Sequence, residues 1–64
     1  MDKYTFYGLG FDGQVLFAET ITGSEADARH RVEQETRRFP VVELWSRSVL
    51  ILRLRAPARF PTKD

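Results

Sequence analysis

Cysteine is absent from the 64 residues. A disulfide framework, thiolate chemistry and any cysteine-ligated zinc or iron–sulfur centre are thereby excluded. Histidine occurs once, as His30, with no carboxylate pair at ligand spacing around it, so neither a metal nor another cofactor is expected. No apolar run exceeds four residues, as in Val49-Leu50-Ile51-Leu52. A membrane-spanning helix needs roughly 20, so membrane association is not expected. The N-terminus lacks the cationic-then-apolar build of a secretory leader. Charge is nearly balanced, ten Lys and Arg against nine Asp and Glu. What is plentiful is apolar surface. At 42% of the chain, hydrophobic residues suffice for a small core and are too many for a disordered segment.

Size adds a constraint. A chain of 7.4 kDa forms one domain, and a single core of that size supplies about 3–5 kcal/mol of net stability. Such domains lean on disulfides, a metal or self-association. The composition leaves the third.

Tyr4-Thr5-Phe6-Tyr7-Gly8-Leu9-Gly10-Phe11 is rich in aromatic residues and reads as a strand. Asp12-Gly13 is a hairpin signal, with a four-residue loop Gly10–Gly13 as the competing geometry. Gln14 to Ile21 reads as the returning strand, with Phe17 across from Gly8 and covering it. Thr22 with Glu25, or Ser24 with Asp27, has capping-box spacing. A helix is expected from about Glu25 to about Arg38, stopped by Pro40. Its apolar stripe is thin: Ala28, Val32, Thr36 and Phe39. Glu25/Arg29, Asp27/Arg31 and Glu33/Arg37 are acid-before-base pairs at i,i+4. Val41 to Ser46 and Ser48 to Arg55 read as two further strands, with Arg47 in the turn between them. The order is β-β-α-β-β. It predicts one α+β domain over residues 1–56, a four-stranded antiparallel sheet with one helix packed on one face. Residues 57–64, with two prolines and no periodicity, are expected to form a flexible tail.

Alternation then assigns the faces. Tyr4, Phe6, Val15, Phe17, Ile21, Val42, Leu44, Leu50, Leu52 and Leu54 are expected beneath the helix. The other face receives Tyr7, Leu9, Leu16, Trp45, Val49, Ile51, Arg53 and Arg55, together with Thr5, Ala18, Val41 and Glu43. A sheet face meant for water should be mostly polar. Six large apolar residues here exceed the few hundred square ångströms that monomers tolerate. The eight residues from Tyr7 to Arg55 named first are therefore the candidate interface, covered by a second copy of the chain or by another small protein. The bland alternative is scattered apolar residues, or a tail folded back over them.

The Tyr-x-Phe-Tyr opening strand, the Asp-Gly turn, the polar helix, and Glu43-Leu44-Trp45 followed by Leu50-Ile51-x-Arg53-Leu54 resemble a family of small β-β-α-β-β proteins frequent in alphaproteobacterial genomes, for which no activity is established. The resemblance spans roughly residues 4–55 and implies the same fold and a bacterial cytoplasmic setting. Similar chains commonly carry glycine in the turn after the Trp, where this one has Arg47 between two serines.

Catalytic chemistry finds no foothold. Catalysis needs a nucleophile, a base or a metal held together. His30 sits between Arg29 and Arg31 on the solvated side of the helix. Thr22 and Ser24 serve as caps, Ser46 and Ser48 flank a turn, and Glu19 and Glu43 are single acids in strands without an evident partner. Gly8-Leu9-Gly10 lacks the Gly-x-x-x-x-Gly-Lys pattern and opens no helix, so it is no phosphate loop. The expectation is a non-enzymatic protein-interaction module that self-associates through the open sheet face.

Nucleic acid is the rival partner. Residues 1–36 carry net charge −4 and residues 37–64 net +5. Tyr7 and Trp45 share a face with Arg53 and Arg55, as on sheets that stack bases and bind phosphates. Against it stand a pI of only about 8.2 and the apolar character of the face.

Overall fold

The computed structural model describes residues 2–56; the segment 57–64, expected as a tail, lies outside the described residues. Four strands, β1 (Asp2–Leu9), β2 (Val15–Gly23), β3 (Val41–Ser46) and β4 (Val49–Arg55), and one helix, α1 (Glu25–Glu35), follow in the order β1-β2-α1-β3-β4. The strands form one antiparallel sheet ordered β2-β1-β3-β4. Each hairpin stays intact, and β1 joins β3 to unite them. The chain leaves β2 at one edge, passes through α1, and returns as β3 on the far side of β1. This is a small α+β domain.

The central strands hold the core. Tyr4 and Phe6 of β1, Val42 and Leu44 of β3, and Ala28 and Val32 of α1 are buried together. Phe17, Ile21, Phe39, Leu52 and Leu54 pack around them. Full burial of each large side chain contributes about 1.5–3 kcal/mol. Phe17 does lie across from Gly8, but the ring over that glycine is Phe39. A methyl group on Gly8 would sit 2.6 Å from the Phe39 ring carbons. Phe17 stacks on that ring, at 5.8 Å between centroids and 20° between planes.

The helix is shorter than its sequence pattern. It starts where Ser24 Oγ accepts from Asp27 N at 3.1 Å, the second of the two capping alternatives. It ends at Glu35, and turns carry the chain through Arg38 to Pro40. Arg29–Glu25 forms as expected, at 2.8 Å. Arg31 instead turns to Glu19 (2.6 Å) and Glu35 (3.2 Å), and Glu35 also takes Arg38 (3.1 Å). The Arg38 guanidinium then lies over both Phe17 and Phe39, at 5.4 and 5.1 Å from their centroids. Glu19 is thus no isolated acid. It anchors a chain of charges that ties α1 to β2 and roofs the aromatic stack.

Both hairpin ends depart from a uniform alternation. In the first, Gly13 N donates to Gly10 O and Gly10 N to Gln14 O, with Gly13 at φ 85°. The four-residue turn has formed, and the tight Asp-Gly turn has not. A bulge follows: Gly8 pairs with Phe17, but Leu9 pairs with Val15. In the second, Leu44 pairs with Leu52, but Trp45 pairs with Leu50. Each bulge inserts one residue, Leu16 or Ile51, and reverses the facing of the residues before it. Val15 and Leu50, expected beneath the helix, share the open-face positions of their partners Leu9 and Trp45. Ile51, expected outside, packs against the core.

Arg47 has φ 59°, the left-handed conformation required at the first central position of a primed hairpin turn. A residue bearing Cβ costs about 1–2 kcal/mol there, and glycine returns part of that as lost unfolded-state restriction. Arg47→Gly should therefore raise Tm by about 2–8 °C. Thermal unfolding followed by circular dichroism at low concentration checks this; an unchanged or lower Tm rejects it.

Candidate functional site

The face opposite α1 carries a shallow groove of about 390 Å³, lined by Tyr7, Leu9, Val15, Glu43, Trp45, Arg47 and Ser48. It follows β1 and β3 lengthwise, because Leu9 pairs with Val41, Tyr7 with Glu43 and Thr5 with Trp45. Its lining is mainly apolar.

At its centre is a carboxylate. Glu43 is only 7% exposed, although its strand face is the open one. Tyr7 flanks it on β1 and Arg53 on β4. One oxygen, Oε1, accepts from Trp45 Nε1 at 2.9 Å. The other, Oε2, accepts from Arg53 Nε at 2.8 Å and from Arg53 Nη2. Burying a carboxylate without partners is costly; here both oxygens are engaged, so its desolvation is offset. The consequence is positional. Trp45 is held by its indole N–H, and Arg53 is held flat across β3 and β4. Sequence reasoning missed this pairing because Glu43 and Arg53 are neighbours only once the β3–β4 register is fixed. The signal was present: both were assigned to the same face.

Of the eight residues expected at the interface, Tyr7, Leu9 and Trp45 line the groove. Arg53 borders it through Glu43. Arg55 is exposed beside Val41 at the same end as Leu9 and Val15. Leu16 and Val49 are exposed but lie outside the groove lining, Leu16 at the first bulge and Val49 across from Ser46. Ile51 belongs with the core. Alternation alone placed Val15 on the wrong side and did not bring Arg47 and Ser48 to the groove.

Exposed large apolar side chains persist near it, Val15, Leu16 and Leu50, with Phe11 95% exposed at the first hairpin tip; Val49, expected on this face, is exposed on the helix-side parity instead, across from Ser46. His30 is exposed, with Nε2 3.3 Å from Gln34 Nε2. Among the described residues, no three of His, Cys, Asp or Glu gather where they could ligate a metal, and no helix is long and apolar enough to cross a membrane.

The fold and groove define a small α+β domain with one sheet face covered by its helix and, among the described residues, the other left open. No protein-family model matches the chain, and no curated protein or solved structure matches it.

Proposed function

We propose that this chain is a non-enzymatic cytoplasmic interaction module that works by burying its open sheet face against protein, in the first place against another copy of itself. The observation that carries this reading is Trp45, half-buried on an open apolar groove and pinned by the Glu43 carboxylate. A tryptophan fixed in one orientation loses little conformational entropy on docking, and Trp is prominent among residues that dominate interface energy. The small core supplies the need, since association adds stability that a domain of this size lacks.

Nucleic acid is disfavoured by the same carboxylate. Arg53, one of the two arginines offered to phosphates, already spends its guanidinium on Glu43.

Sedimentation equilibrium at about 1–300 µM should show a dimer, within the range expected of small interfaces. Trp45→Asp should abolish it while circular dichroism shows a folded chain. Trp45 is the single tryptophan, so its emission reports the face directly and should shift to the blue as concentration rises. A wild-type monomer throughout, with concentration-independent emission, overturns the reading. Titration of fluorescent single-stranded oligonucleotides at low salt should give no binding; binding lost on raising salt would favour the rival.

A further inference from the structure

We infer that the open sheet face takes an acidic amphipathic segment of another protein, its apolar side chains in the groove beside Trp45 and its carboxylates on the cations at the two ends. This rests on the proposed burial of the face against protein, and it names the chemistry of a partner that competes with the second copy. Two observations lead to it.

The first is how charge divides between the two sides of the sheet. Lys3 of β1 shares the parity of Thr5 and Tyr7, while Arg53 and Arg55 of β4 pair with Glu43 and Val41, so all three stand on the open face. Arg47 lines the groove. Among the described residues the one acid on this face is Glu43, which is buried and already engaged by Arg53. Four cations against one acid leave the face at +3. The other acids are elsewhere. Asp2 and Glu19 stand on the helix side, in the parity of Tyr4 and Phe6, with Asp12 at the hairpin tip. Glu25, Asp27, Glu33 and Glu35 belong to α1. Set against Arg29, Arg31, Arg37 and Arg38, those seven acids leave −3 away from the open face. A chain of balanced charge is thus polarised across its sheet. Among the described residues, Lys3, Arg47 and Arg55 form no ion pair.

The second is where the unpaired cations stand. Thr5 pairs with Trp45, so Lys3 and Arg47, each two residues beyond that pair, mark one end of the groove. Arg55, beside Val41 and level with Leu9, marks the other. The two levels lie roughly 20 Å apart at the rise of a strand. Between them the lining is Tyr7, Leu9, Val15 and Trp45. Arg47 also holds φ 59°, where glycine sits without strain. A side chain kept in a strained conformation at the rim of a groove points to a use for that side chain. An apolar stretch flanked by acids fits this frame. Nucleic acid fits it less well, because its phosphates recur at every nucleotide, and Arg53 between the two ends is neutralised by Glu43. A second copy presents the same positive face, so an acidic occupant is better matched and displaces it.

The probe is the peptide Asp-Asp-Leu-Ser-Phe-Ser-Leu-Asp-Asp, whose inner aspartates, when extended, stand about as far apart as the groove's two ends. It carries no tryptophan. Titrated into the wild-type chain at a concentration where sedimentation shows monomer, it should shift Trp45 emission to the blue and saturate. A counterpart with lysine for every aspartate should bind at least about tenfold more weakly. One with serine for every leucine and phenylalanine should also lose about tenfold or more. Raising sodium chloride from about 0.05 to 0.5 M should weaken the acidic peptide about three- to tenfold.

Arg47→Gly separates binding from folding. It should bind the acidic peptide about fivefold or more weakly while its Tm rises as predicted above, a split that a folding defect cannot produce. Arg47→Lys keeps the charge and should bind nearly as well as wild type. Equal binding of the acidic and lysine peptides, full affinity in the serine-cored peptide, or undiminished binding by Arg47→Gly overturns the inference. A short oligothymidylate that binds more tightly than the acidic peptide assigns the face to nucleic acid and overturns it too. A chain that dimerises in sedimentation yet takes none of the peptides removes this inference alone. A chain that stays monomeric yet takes the acidic peptide removes the self-association and supports this partner.

Discussion

Gly8→Ala should destabilise the fold by about 1–3 kcal/mol, the range for overfilling a packed site. The sign is the informative part. In a strand with ordinary backbone angles, replacing glycine by alanine stabilises by about 0.4–1 kcal/mol, because the unfolded chain has less freedom to lose. At Gly8 the new methyl would lie 2.6 Å from two Phe39 ring carbons and 2.8 Å from a third. The ring has little room to yield. Phe17 is stacked on it, Phe6 meets it edge-on at 6.1 Å, and the Arg38 guanidinium caps it. Shifting Phe39 therefore disturbs the whole aromatic roof and the Glu35–Arg38 pair. Against a total of about 3–5 kcal/mol, the loss leaves a chain with a substantial unfolded fraction. Urea unfolding measures it. Gly10→Ala is the control: its methyl would meet Leu16 Cδ1 at 3.5 Å and Asp12 Oδ1 at 3.3 Å, and its stability should stay within about 0.5 kcal/mol of wild type. Equal effects at the two glycines would show that Phe39 moves freely.

The same region shows what the sequence can and cannot disclose. Fold class and element order are legible because the signals repeat: Leu50-x-Leu52-x-Leu54, the Ser24 cap, the proline after the helix. The Gly8–Phe17 pairing is as expected, although the ring that covers the glycine is Phe39. What is lost is phase. Val15-Leu16-Phe17 and Val49-Leu50-Ile51-Leu52 are continuous apolar runs. A bulge inside such a run changes which residues face inward without leaving a polar residue to mark the change. Hence alternation puts Val15, Leu50, Ile51 and Val49 on the wrong side, Val49 because it pairs with Ser46 in the parity of core Leu44, while it places residues beyond each bulge, Phe17 or Leu52, correctly. The acids failed differently. Glu19 shares its parity with Phe17 and Ile21, so it had to face the helix, and Arg31 lies one turn from Ala28 on that helix. Reading the strand by itself hid a partner twelve residues away. Glu43 was hidden in the same way, because its partners are set by strand pairing.

Glu43→Ala should separate the two jobs of that carboxylate. Hydrogen bonds to a charged group contribute about 1.5–3 kcal/mol each when sheltered. Here the Arg53 side chain is 55% exposed, so water replaces much of what it loses. The folding cost should be about 1–2 kcal/mol, read by urea unfolding. The effect on association should be larger in proportion. Without Oε1 the Trp45 indole is no longer held, and its ordering must be supplied on docking, about 0.5–1.5 kcal/mol for a rotamer-rich side chain. The freed Arg53 then adds an uncompensated charge to the surface being buried. Together these should raise the dimer dissociation constant at least about tenfold, equivalent to 1.4 kcal/mol, and shift Trp45 emission to the red. Glu43→Gln keeps a carbonyl oxygen for the indole N–H and gives up the charge. It should leave Trp45 emission close to wild type and weaken the dimer less than Glu43→Ala does. If the two variants dimerise equally poorly, charge neutralisation of Arg53 is what the face requires, and pinning Trp45 is incidental. If Glu43→Ala also acquires salt-sensitive binding of single-stranded oligonucleotides, then this one acid is what keeps an otherwise aromatic and basic sheet from taking nucleic acid.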